Sequence, residues 1–207
     1  MGNTYRLHYP DHNPETCRGI KKSVLHDRLK NRKAYFRDVS GWESPSWYAI
    51  GSDPIVEKES FERENWFPFW GAEHRACRES VALFDMSFMS KFLVKGNDAG
   101  AFLNHLSTAN VSGNVGTITY TQWLNEGGYM EADLTVTMID DTTFFVVATD
   151  TMHNHVHAHM KHRMSNDMHV FISDVTGTFA QINLQGPRSR HLLQTVTSHN
   201  MREFPFR

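Results

Sequence analysis

An α+β domain is the fold class this sequence predicts, on three observations. Thr-, Val- and aromatic-rich stretches alternate with amphipathic segments in the order β-α-β-β-β-α-β-β-α over the second part of the chain. Consecutive strands are joined by short, turn-prone links of the kind hairpins use. The 207 residues, 40% hydrophobic and 12% aromatic, are enough for one domain or one and a half with a real core. The expected architecture is a mixed, mostly antiparallel sheet with helices packed on it.

Taken in order, residues 1–22 are polar, carry Pro10, Pro14 and Gly19, and read as a connector. SVLHDRLKNRK (23–33) opens on a Ser and continues in helix formers, so a short helix is predicted. GWESPSWY (41–48) reads as a turn-rich aromatic anchor, and residues 51–64 as a charged surface loop. A helix is expected over 73–81, entered through the aromatic NWFPFW stretch. Strands follow at 91–96, 117–124, 133–139 and 142–149, with NEGG (125–128) and Asp140-Asp141 as the turns of successive hairpins. Between the first two strands, residues 97–107 form a helix with Phe102, Leu103 and Leu106 on one face. Residues 151–164 are helical, 169–175 and 178–185 are strands, and 186–196 is a helix with Pro187 at its start.

Composition excludes several classes. Lys+Arg 21 against Asp+Glu 23 gives a formal charge of −2, which offers nothing to a nucleic-acid backbone. No apolar run approaches the ~20 residues of a membrane helix. Cys17 and Cys77 supply neither a disulfide framework nor a four-cysteine zinc site, and point to a reducing compartment. The first ten residues lack the apolar stretch of a signal peptide. Glycine-rich phosphate loops, HExxH and GxSxG are absent from the sequence.

Two features invite a functional reading and have a plainer one. His155, His159 and His162 fall on one face of the predicted 151–164 helix, and His153 and His157 on another. An i, i+4 imidazole pair can chelate zinc, but histidines spread over two faces describe a solvated helix better, so no metal site is assigned. The basic residues between Arg18 and Arg37 are interrupted by Asp27 and Asp38 and read as a solvated helix face.

A third constellation carries more chemistry: FDMSFMSKFLVKG (84–96), STANVSGNVGTITYTQWLNEGG (107–128), EADLTV (131–136) and LQGPRSRHLL (184–193). Met86 and Met89 offer soft apolar surface suited to a flat ring. Asn110 offers an amide, Tyr120 an aromatic face with a hydroxyl, and Asn125 a second amide beside Gly127-Gly128. Apolar walls with a few polar groups suit a heteroaromatic ligand.

These blocks, in this order from Ser23 onward, resemble the folate-binding domain of the glycine cleavage T-protein (aminomethyltransferase), over about 185 of 207 residues. ENWFPFW (64–70) and residues 1–22 look like the branch fused to FAD-dependent dimethylglycine and sarcosine dehydrogenases, with 1–22 the tail of the flavin-binding part and 23–207 a folate domain truncated at its C-terminal end. The resemblance implies tetrahydrofolate binding and transfer of a one-carbon unit to give 5,10-methylene-tetrahydrofolate, with FAD confined to a missing upstream part. Carried over, Met89 packs on the pterin, Tyr120 lines it and Asn125 hydrogen-bonds its edge. Position 110 is where many members have an aspartate that orients or deprotonates the folate. Asn110 stands there, and an amide orients a ligand but is no general base. The Tyr-Thr-Gly-Glu motif of the complete family domain is missing, which makes the chain part of a larger protein with an incomplete active site of its own. The implied partners are a folate and other parts of a flavoprotein chain. The implied compartment is the mitochondrial matrix in a eukaryote and the cytoplasm in a bacterium. Two further readings stay open: a non-catalytic interaction protein like the regulatory subunit of pyruvate dehydrogenase phosphatase, and a free aminomethyltransferase relative.

Overall fold

The structure, a computed structural model, describes residues 7, 15–58 and 60–204. The expected flavoprotein tail at 1–22 therefore falls largely outside the described residues. The chain divides into two compact units, one of residues 1–86 with 182–207 and the other of residues 87–181.

In the first unit, α1 (His26–Asn31) leads into a hairpin of β1 (Ala34–Val39) and β2 (Trp42–Tyr48). The segment read as an anchor is thus a strand. Pro45 is tolerated because the sheet has only two strands and its register shifts between Tyr35 and Phe36, directly opposite. Trp47, 1% exposed, stacks between Tyr35 and Phe69 with ring centroids 5.4 and 5.6 Å away. Its indole N–H and the Arg37 guanidinium both donate to Glu57 Oε1, at 3.1 and 2.6 Å. Glu43, also buried, takes two 2.7 Å bonds from Arg18 and a third from the Gly19 amide. The Arg18 bonds hold its carboxyl below the usual carboxylate range. The second helix, α2 (Phe67–Glu79), begins six residues earlier than expected because Pro68 fits the first turn. β3 (Ala82–Asp85), not foreseen, pairs with β9 (Ile182–Gln185), and α5 (Ser189–Gln194) follows.

The second unit holds a five-stranded sheet in the order β5-β6-β7-β4-β8. Its strands are β4 (Ser90–Lys95), β5 (Ile118–Leu124), β6 (Met130–Asp140), β7 (Thr143–Ala148) and β8 (Phe171–Asp174). Every strand pair is antiparallel. One face carries Phe92, Val94, Trp123, Leu134, Val136, Phe144 and Val146, all buried. Against that face pack Ala99, Phe102, Leu103 and Leu106 of α3 (Ala99–Leu106) and Val156 and Met160 of α4 (His153–Arg163). A short 3-10 turn, Asp150–Met152, precedes α4. Because side chains alternate along a strand, the residues between the core positions form the opposite face. That face carries Tyr120, Gln122, Asp133, Thr135, Val147 and Lys91.

Candidate functional site

The face away from the helices gathers two of the four residues singled out by sequence. Tyr120 on β5 pairs with Thr135 on β6, and Gln122 pairs with Asp133, so Tyr120 and Asp133 are diagonal neighbours across the hairpin. The tyrosine is 64% exposed. The nearby Asp133 carboxylate pushes the phenol above its usual range. Gln122 Nε2 donates to Asp133 Oδ1 at 3.1 Å and orients the carboxylate.

Met89 reaches the same end of the sheet. It lies one residue before the first β4–β7 pair, Ser90 with Ala148, and Ala148 in turn pairs with Leu134, the neighbour of Asp133. Met89 is half-buried in the turn that enters β4. A thioether, a tyrosine and an oriented carboxylate therefore stand toward one end of the sheet, the last two on the face opposite the helices.

Asn110 and Asn125 are not brought there. Asn110 is exposed in the loop after α3, and its Oδ1 accepts from the Ser112 amide at 3.1 Å and the Ser112 hydroxyl at 3.3 Å. Its neighbours hold this loop on the core side of β5: the Ala109 amide donates to the buried Thr121 hydroxyl at 3.1 Å, and Val111 enters the core. Asn125 closes the β5–β6 hairpin. Its Oδ1 accepts from the Gly127 and Tyr129 amides, and its Nδ2 donates to Glu131 Oε1 at 2.8 Å. Glu131 is the extra residue where the β5–β6 register shifts, with Trp123 paired to Ala132 and Leu124 to Met130. The bulge re-aims its carboxylate to α4, where Oε2 meets His155 Nε2 at 2.6 Å.

Asp133 is the residue that sequence reasoning passed over, although it stands in the EADLTV block. The alternation of apolar Ala132, Leu134 and Val136 leaves Asp133 on the polar face of its strand, which is the signal that would have found it.

The structure distributes the five histidines of α4 among local roles. His153 stacks on Phe92 and contacts Ser90 Oγ and Asp174, and His157 also stacks on Phe92. His159 is buried against Trp123, its ring centroid 6.0 Å away, and its Nε2 has no hydrogen-bond partner. Burial pushes its pKa down. Glu131, His155, His159, His162 and Arg163 line an open pocket of about 400 Å³. Among the described residues, no three His, Cys, Asp or Glu side chains are grouped to hold a metal ion, and no helix is long and apolar enough to cross a membrane.

Residues 25–207 match the family described as the GCVT N-terminal domain. The chain is 34% identical over 198 residues to 4-methylaminobutanoate oxidase (formaldehyde-forming) of Paenarthrobacter nicotinovorans, covering 95% of this chain and 24% of that protein. It is 29% identical to human mitochondrial dimethylglycine dehydrogenase, over 89% of this chain and 21% of that one. It is 27% identical to the mitochondrial pyruvate dehydrogenase phosphatase regulatory subunit of Mus musculus, over 93% and 23%. Among solved structures, the glycine cleavage system aminomethyltransferase T from Bartonella henselae superposes with a TM-score of 0.66 at 22% identity, covering 86% of this chain and 44% of that chain. That likeness shows the fold. The chain spans about a quarter of the length of the curated relatives it matches.

Proposed function

The chain belongs to the GCVT N-terminal domain family, and on that premise we propose that it is the tetrahydrofolate-binding module of a dimethylglycine or sarcosine dehydrogenase-like flavoprotein. The observation that carries this reading is that Tyr120 and Asp133 are diagonal neighbours on one sheet face, with Met89 in the turn at the same end of the sheet. A reduced pterin presents a flat face and a row of ring N–H donors. Tyr120 and Met89 suit the face, and the carboxylate of Asp133, with about four lone-pair sites, suits the donors. When bound, tetrahydrofolate supplies the N5 nucleophile that takes a one-carbon unit and ends as 5,10-methylene-tetrahydrofolate.

The remaining chemistry lies with the chain's own groups. Asp133 accepts a ligand N–H and, as a carboxylate, can take up a proton, which the amide of Asn110 cannot. Asp133 thus holds the role that the resemblance placed at position 110. Gln122 fixes the orientation of that carboxylate. Asn110 and Asn125 serve the site indirectly, by shaping the loop and hairpin on either side of β5. FAD belongs to other parts of a parent flavoprotein, which this quarter-length match to its relatives accommodates.

Isothermal titration of tetrahydrofolate into the full chain tests the proposal. Saturable one-to-one binding that Asp133→Asn weakens supports it. No binding at millimolar ligand would move the chain toward the non-catalytic role that the regulatory-subunit relative represents.

A further inference from the structure

Lys91 is a charged side chain in a place where charges are seldom found. It is 1% exposed, on the sheet face opposite the helices and in the cross-strand row Lys91–Val147–Thr135–Tyr120. Its Nζ donates to the Ser87 carbonyl at 2.9 Å and to the Met89 carbonyl at 2.6 Å. Both carbonyls belong to the turn that carries Met89. The lysine's own backbone is fixed independently: its N–H donates to Thr176 Oγ1 at 3.0 Å and its carbonyl accepts from the Val175 amide at 2.9 Å. The far side of the turn is held by the Gln181 amide on Ser87 Oγ at 3.2 Å and by Ser90 Oγ on the Thr149 carbonyl at 3.2 Å. An ammonium spanning two carbonyls makes charge-assisted bonds stronger than these neutral ones. A buried lysine costs desolvation that an apolar residue of the same length avoids, so a core-filling role does not call for the charge.

We propose that Lys91 is a positioning residue for ligand binding: its ammonium clamps the 87–89 turn and thereby sets Met89 against the face that carries Tyr120 and Asp133. This rests on the folate reading, and the test separates the two. Lys91→Met keeps the length and removes the charge, Lys91→Gln keeps one neutral donor, and Thr176→Ala loosens the same strand without touching the clamp. Tetrahydrofolate affinity of the full chain should fall about tenfold or more in Lys91→Met, part of the way in Lys91→Gln, and less than twofold in Thr176→Ala. Should Lys91→Met not fold, Lys91→Gln carries the comparison. A second readout needs no ligand: the 13C-methyl resonance of Met89, assigned with Met89→Leu, should shift and broaden in Lys91→Gln and stay in place in Thr176→Ala. Wild-type affinity in the lysine variants, or an unmoved Met89 resonance, overturns the inference. If the wild-type chain itself binds no tetrahydrofolate, the folate reading falls while the methyl spectrum still decides what Lys91 does.

Discussion

Tyr120 and Asp133 are diagonal neighbours across the β5–β6 hairpin, on the sheet face opposite the one that packs against α3 and α4. Asn110, where a family acid was expected, lies in a loop pinned to the core side of β5. The two positions therefore give opposite results on substitution. Asp133→Asn should weaken tetrahydrofolate binding about tenfold or more with little change in thermal midpoint. Asn110→Ala should leave affinity within about threefold and cost about 1 kcal/mol through its lost loop bonds. Titration calorimetry and urea unfolding of both variants check the pair, and the reverse pattern would return the site to Asn110.

The hairpin end is tied to α4 by Glu131, whose carboxyl is held below its usual range first by Asn125 and then by His155. Because the folded value lies below the unfolded one, this stabilisation is present above about pH 4.3 and is lost as pH falls through the folded value. Glu131→Gln should be less stable than wild type near neutrality, and the gap should close below pH 4. A gap that persists unchanged at pH 3 would show that shape, rather than charge, holds the hairpin.

Acid should also act through His159. Burial depresses its pKa against Trp123, with Glu131 opposing that effect and Arg163, His155 and His162 adding to it. The neutral imidazole is favoured in the fold, so stability is full above about pH 6.5 and declines as pH drops through the folded value. His159→Phe keeps an aromatic ring on Trp123 and removes the unpartnered Nε2. The variant should match or exceed wild-type stability at pH 7.5 and exceed it by a wider margin at pH 5.5, as read by urea unfolding. Equal margins at the two pH values would count against the buried neutral imidazole.

The alkaline limb should report Tyr48 in the first unit. Its phenol is pushed up to about 12, chiefly by burial and further by Glu73 and Asp85. The raised value favours the neutral phenol, so this contribution is intact below about pH 10 and disappears as pH rises through the folded value. Tyr48→Phe should unfold at higher pH than wild type. Identical alkaline transitions would show that the phenol ionises without resistance.

What could be read from sequence follows the physical strength of each signal. β5, β6 and β7 emerged because alternation and the NEGG and Asp140-Asp141 turns agree, and the turn residues do close these strands. β1 and β2 escaped because Pro45 and a register shift disguise the alternation that a two-stranded sheet tolerates. Of the residues singled out by sequence, Tyr120 lies on a strand as expected from the alternation of 117–124, and Met89 lies in the turn just before β4. The place of Asn125 was not legible, because the bulge at Glu131 turns the hairpin's polar groups toward α4, and a bulge has no local sequence code. Lys91 looked like an ordinary strand lysine. Only the fold shows that the 87–89 turn closes over it.

At Gly96, where β4 gives way to α3, another stretch of backbone comes close enough to leave no room for a side chain. The φ of +135° at Gly96 suits glycine alone, and a Cβ there would stand 1.9 Å from the His169 carbonyl oxygen and 2.8 Å from its carbon. Both obstacles are backbone, so no side-chain rotation relieves them. The approach is also fixed from both sides, because the Gly96 amide donates to Thr142 at 2.9 Å and the Asp98 carboxylate receives the His169 amide at 2.7 Å. Gly96→Ala must therefore push the entry to β8 away from β4 or break these bonds. The expected loss is about 3 kcal/mol or more, from a strained φ together with displaced ladder bonds. Urea unfolding followed by tryptophan fluorescence measures it, since Trp123 lies in the same core. Hydrogen exchange should localise the damage to β4, β8 and the start of α3. A loss under about 1 kcal/mol would mean that the 169–170 segment can retreat without cost.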